Sequence, residues 1–162
     1  MTLLQVLDWL DTNIPSIAAC SAAGSIDGGK DKCVGVYRGK PAGKQRICLG
    51  GITQTRYQQM PITILIHWTK SAFEAEAKAQ EIYDALYGLS DCWMGGSHVF
   101  SVDPGAGIVP IGKDDNGIVE YVIRAVILYE KLYGEHSHNQ LSRFAHKELA
   151  LHSHKALSRG GL

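Results

Sequence analysis

Leu3, Val6, Leu7, Leu10 and Ile14 recur at steps of three and four, which predicts a short amphipathic helix that Pro15 limits. Gly24-Ser25-Ile26-Asp27-Gly28-Gly29-Lys30 then reads as a loop. Two short strands are expected at Cys33–Arg38 and at 46–49, joined as a hairpin through Gly39-Lys40-Pro41-Ala42-Gly43-Lys44. Over 56–69 the period drops to two. Ile62, Ile64, Ile66 and Trp68 share one face, and Thr63 and His67 the other. Pro61 has no backbone donor, so it suits an edge, a bulge or a strand beginning.

Ser71-Ala72-Phe73-Glu74 has the form of a capping box, with the serine oxygen taking the Glu74 amide and the carboxylate reaching back. Behind it Ala72, Ala75, Ala79, Ile82, Leu86 and Leu89 form one apolar stripe on a helix ending near Gly88. A further strand is expected at 98–102. Asp103-Pro104-Gly105-Ala106-Gly107 breaks the chain, and Lys113-Asp114-Asp115-Asn116-Gly117 makes a polar turn. The last strand, 118–130, carries a wholly apolar odd-numbered face: Val119, Tyr121, Ile123, Ala125, Ile127 and Tyr129. At strand rise its thirteen residues reach roughly 40 Å, beyond the usual length. Either a bulge interrupts it or part of it pairs outside its own domain.

These elements predict an α+β fold: a single antiparallel or mixed sheet of four to five strands with two helices packed on it. Residues 1–134 form that domain. Residues 135–162 form a polar, histidine-containing tail with helix-forming content, ordered only by contact with a partner.

Composition narrows the function mostly by exclusion. Sixteen basic residues balance sixteen acidic ones, so no global field marks a nucleic-acid or membrane-surface binder. The asymmetry is small: net plus two from Glu135 onward and minus two before it. No stretch is apolar for long enough to span a bilayer, and Met1-Thr2-Leu3-Leu4-Gln5 lacks the basic start of a signal peptide. Cys20, Cys33, Cys48 and Cys92 form no C-x-x-C pair, so free and mostly buried thiols are expected.

Each candidate for chemistry has a plainer reading. His136, His138, His146, His152 and His154 have no acidic or cysteine cluster beside them, and the i, i+2 pairs would diverge on a helix. Gly24–Lys30 lacks phosphate-loop spacing, and Gly105-Ala106-Gly107 does not open a helix. Asp114 and Asp115 read as exposed turn residues. Ser97-His98 lacks a third member, and Trp9, Trp68 and Trp93 read as core or rim aromatics. Only Lys30, Lys32, Arg38, Lys40, Lys44 and Arg46 concentrate on one stretch. They form either a solvated hairpin face or a positive rim that meets DNA in a channel or an acidic partner. No catalytic residue, metal site or cofactor is expected.

The run Thr69-Lys70-Ser71-Ala72-Phe73-Glu74-Ala75-Glu76-Ala77, followed by Ile82-Tyr83-Asp84-Ala85-Leu86, resembles the central helix of phage tail terminator and minor capsid proteins. Pro110-Ile111-Gly112-Lys113-Asp114-Asp115-Asn116-Gly117 leading into Glu120-Tyr121-Val122-Ile123 is similar to the entry into their long strand, and Cys33-Val34-Gly35-Val36-Tyr37 to their early strand. Such proteins are common in phages and prophages of Gram-positive bacteria. The resemblance covers residues 1–132 and rests on structural motifs.

The resemblance implies a small α+β virion protein, made in the host bacterial cytoplasm and acting at the head–tail interface. Its partners would be copies of itself in a ring, hexameric in type, the major tail tube protein, and the head connector or stopper. Genomic DNA would pass through without sequence-specific recognition. Closed rings use head-to-tail contacts. Tyr121, Ile123, Arg124 and Tyr129 on the long strand, with Met60 and Pro61 on an edge-like strand, are the expected subunit contacts. Other readings are a head-completion or stopper protein, a small enzyme or ligand-binding domain, and a regulatory nucleic-acid binder. The last is disfavoured by the neutral charge.

Overall fold

Thr2 opens the first helix, α1 (Leu3–Asn13). Its hydroxyl accepts from the Gln5 amide at 3.3 Å, while the Gln5 side chain accepts from the Thr2 amide at 2.8 Å. The computed structural model describes residues 1–41, 47–51 and 54–131. Val6, Leu7 and Leu10 are buried, and the Ile14 amide closes the helix on the Leu10 carbonyl just ahead of Pro15.

Seven strands and a second helix follow: β1 (Ser21–Ala23), β2 (Cys33–Arg38), β3 (Tyr57–His67), α2 (Ala72–Leu86), β4 (Ser90–Met94), β5 (Ser97–Asp103), β6 (Ile108–Lys113) and β7 (Val119–Glu130). They form one mixed sheet in the order β1-β2-β3-β7-β5-β4, with β6 also on β7. Only β1 on β2 is parallel. Four to five strands was therefore too few. β1 spans three residues, β4 is polar in its first half, and β6 carries Pro110 and Gly112, so none alternates clearly.

The hairpin expected beyond Arg38 is not a pairing of this sheet. β2 pairs antiparallel with β3 instead. Residues 47–49 lie outside any strand, because their backbone is taken up locally. The Cys48 amide donates to Thr55 Oγ1 at 3.1 Å, and its carbonyl accepts from the Gly51 amide at 2.9 Å.

Pro61 sits inside β3, a central strand, and not at an edge. Its carbonyl accepts from the Gly39 amide at 2.9 Å, so its imino nitrogen faces the same way, just past the end of β2. The missing donor falls where the β2 ladder stops.

β7 uses its length at home. One side pairs with β3 in an unbroken register from Glu120–His67 to Glu130–Tyr57. The other pairs with β5 through Val126–Tyr129 and then with β6 through Val119–Ile123. Both sides of the strand thus pair within the chain, apart from Arg124 and Ala125 on the β5–β6 side, and its length is accounted for by three partner strands.

The odd face of β7 and the even face of β3 meet in the core. Met60, Ile64, Ile66, Ile123 and Ile127 are fully buried there. α2 packs on this face through Ala75, Ala79, Ile82 and Leu86, and the two alanines let it lie close. Ala72 is exposed, unlike in the expected stripe. Its cap is also half of the expected box: Ser71 Oγ accepts from the Glu74 amide at 3.5 Å, but the Ser71 amide goes to Thr69 Oγ1 at 3.3 Å. α1 touches β1 and β2 at one end of the sheet and β4 at the other, so the sheet curls around it.

Candidate functional site

No described helix covers the opposite face of the sheet. By strand alternation it presents Tyr37 of β2, Pro61 and Thr63 of β3, and Arg124 and Val126 of β7. Tyr37, Thr63 and Arg124 stand side by side, since Tyr37 pairs with Thr63 and Thr63 with Arg124. The 103–107 break forms the far wall. The β5 ladder stops at Asp103–Val126 and the β6 ladder resumes at Ile108–Ile123. Residues 104–107 therefore loop out opposite Arg124 and Ala125.

Two details hold that loop. Asp103 accepts from the Gly105 amide at 2.9 Å. Gly105 has φ +61, and a Cβ there would lie 3.1 Å from the Arg124 carbonyl. The result is an open cleft of about 760 Å³ with Pro61, Val109 and Val126 among its apolar lining and Arg38, Lys40 and Arg124 as its cations. Among the described residues none of these three cations is in an ion pair or a side-chain hydrogen bond. Burial pushes the Tyr37 phenol up, against an opposing hydrogen bond with the Ile26 backbone, so the hydroxyl stays neutral.

The cleft draws residues from both sets of candidates. Arg38 and Lys40 come from the basic stretch, and Pro61 and Arg124 from the proposed contact strands. The others disperse. Lys30 pairs with Asp27 at 3.8 Å, and Lys32 lies over the Trp68 ring at 5.4 Å. Lys44 and Arg46 lie outside the described residues, as do the 135–162 tail and its histidines. Met60 and Ile123 are fully buried, and Tyr121 and Tyr129 are 9% and 8% exposed, with the Tyr129 hydroxyl donating to Gln58 at 2.8 Å. Those four side chains build the subunit's own core and offer little surface to another.

The only fully buried histidine among the described residues lies elsewhere on the same sheet face. His67 Nδ1 is 2.9 Å from Glu120 Oε1, and its Nε2 is 3.9 Å from Asp114 Oδ2, without a hydrogen bond. Asp114 is no free turn carboxylate. Desolvation opposes its ionisation, but the amides of Ile118 (2.7 Å) and Asn116 (3.0 Å), with the Asn116 side chain, hold its carboxyl below the ordinary range. It fixes the β6–β7 turn. Among the described residues no group of histidine, cysteine or acidic side chains could hold a metal ion. The thiols are free, but only Cys33 is buried, and Cys48 is exposed. Trp93 is 65% exposed, a surface aromatic and not a core one.

The cleft can thus bind an anionic or polar surface over an apolar floor. Among the described residues that line it, no hydroxyl is hydrogen-bonded to a basic side chain. Sequence reasoning missed Tyr37, Thr63, Val109 and Asp103 as its walls. The break at 103–107 was visible, but its place opposite Arg124 depends on strand register.

The family described as "Bacteriophage tail terminator protein" matches residues 8–131. The chain belongs to the bacteriophage tail terminator family. The matched span takes in the second half of α1, all of α2 and the whole sheet. A tail terminator is a structural component of the phage tail, which makes this a virion protein. A search of curated proteins finds no match. One solved structure is similar at 17% identity and a TM-score of 0.44, over 81% of this chain and 91% of that one, a likeness too distant to speak to function. No described helix is long and apolar enough to cross a membrane.

Proposed function

We propose that this tail terminator caps the head-proximal end of the tail tube, stops tube polymerisation and presents the surface that joins the head connector. It does so without catalysis, as a homo-oligomeric ring of hexameric type made in the host cytoplasm, through which the genome passes. The family match over residues 8–131 carries this reading. The fold supports it physically. The long strand pairs within the subunit along both sides, and the cleft offers cations that are unpaired among the described residues.

Purified protein added to polymerising tube protein tests the capping role. Mean tube length, measured by electron microscopy, falls as the ratio of terminator to tube protein rises, with density for the added chain at one tube end only. Unchanged lengths with the chain bound to isolated heads would point to a head-completion or stopper role instead.

A further inference from the structure

We infer that the cleft is the receptor for the outer stripe of α2 from a second copy of this chain, so that the subunits join head to tail. The inference rests on the ring reading and names its interface. α2 packs on the core face of the sheet and the cleft opens on the other, so the two surfaces face apart. Two different patches on opposed sides propagate from copy to copy, which is the form a closed ring needs.

The chemistry of the stripe fits the cleft. Phe73, Glu76, Gln80, Asp84 and Tyr87 step by three and four along the exposed side of α2. Phe73 is 81% exposed and Tyr87, stacked on Tyr83, is 68% exposed, two large apolar groups left largely open among the described residues. The helix carries four carboxylates and one cation, Lys78. Lys78 is already engaged with Glu81 and with Ser16, and lies over the Trp68 ring at 4.9 Å. That hydrogen bond to Lys78 holds the Glu81 carboxyl below its ordinary range. Glu74, Glu76 and Asp84 remain as net negative charge, with Asp84 accepting from Gln80 at 2.7 Å. Facing them, Arg124 and Lys40 are unpaired among the described residues beside Pro61 and Val126, and Asp103, the one acid among the described residues lining the cleft, is held by the Gly105 amide. Charge meets opposite charge and apolar meets apolar.

Charge exchange tests this on the full chain. The variant Lys40→Glu/Arg124→Glu and the variant Glu76→Lys/Asp84→Lys each assemble at least about a hundredfold less tightly than wild type in analytical ultracentrifugation. The chain carrying all four changes regains assembly, which two merely misfolded variants could not do; circular dichroism checks each fold. If the wild type assembles and neither reversal weakens it, or the fourfold chain fails to recover, the α2–cleft interface is wrong while the ring stands. If the wild type assembles neither alone nor on isolated tail tubes, the ring reading falls and the interface with it. If Lys40→Glu/Arg124→Glu abolishes binding to duplex DNA in fluorescence anisotropy but leaves assembly intact, the cleft holds phosphate and the inference is overturned.

Discussion

Ile64→Ala lowers the unfolding free energy by about 3–4 kcal/mol. Ile64 is fully buried on β3, paired with Val36 on one side and Ile123 on the other, so it lies at the crossing of the two longest ladders. α2 packs over the same face. Removing the branched side chain deletes buried apolar surface and leaves a cavity that three elements would have to move together to close. Urea unfolding followed by tryptophan fluorescence, to which Trp68, buried just past the end of β3, contributes, reads the change as a lower midpoint at unchanged slope. A loss below about 1 kcal/mol would mean that the β2-β3-β7 face is not the core.

The Gly95→Val variant is the second most damaging, at about 2–4 kcal/mol. Gly95 and Gly96 link Met94 of β4 to Ser97 of β5 with φ of +53 and +82, the double left-handed turn that suits a twisted hairpin. A Cβ at Gly95 would also run into the Gln5 side chain, which donates to the Gly95 carbonyl and at the same time caps α1. Nothing stands within 4 Å of the equivalent Cβ at Gly96. Gly96→Val therefore carries the backbone strain alone and costs less than Gly95→Val. Thermal unfolding of the pair separates the two effects, and equal losses would show that α1 is not seated on the hairpin.

What was legible in the sequence followed from periodicity over long runs. The odd face of β7 and the Ile62-Ile64-Ile66 alternation are both buried as read, because one unbroken period leaves a strand no other way to face the core. α1 and α2 were visible for the same reason. Short or polar strands were not: β1 has three residues, and β4 forms because Gly95-Gly96 folds it back on β5. The length of β7 was visible, but its partners were not. Its second edge is filled by β5 and β6 in turn, and that arrangement depends on register across the 103–107 break. The cleft was half legible. Arg38, Lys40, Pro61 and Arg124 were all singled out, but in two separate groups, since only the β2-β3-β7 register brings them to one place.

The central claim is that this tail terminator ends the tube and joins it to the head. Electron microscopy of particles produced with its gene disrupted tests that most directly. The expected picture is full heads standing apart from tails of uncontrolled length, with joining restored when the wild-type chain is supplied. Joined virions with tails of normal length would contradict it.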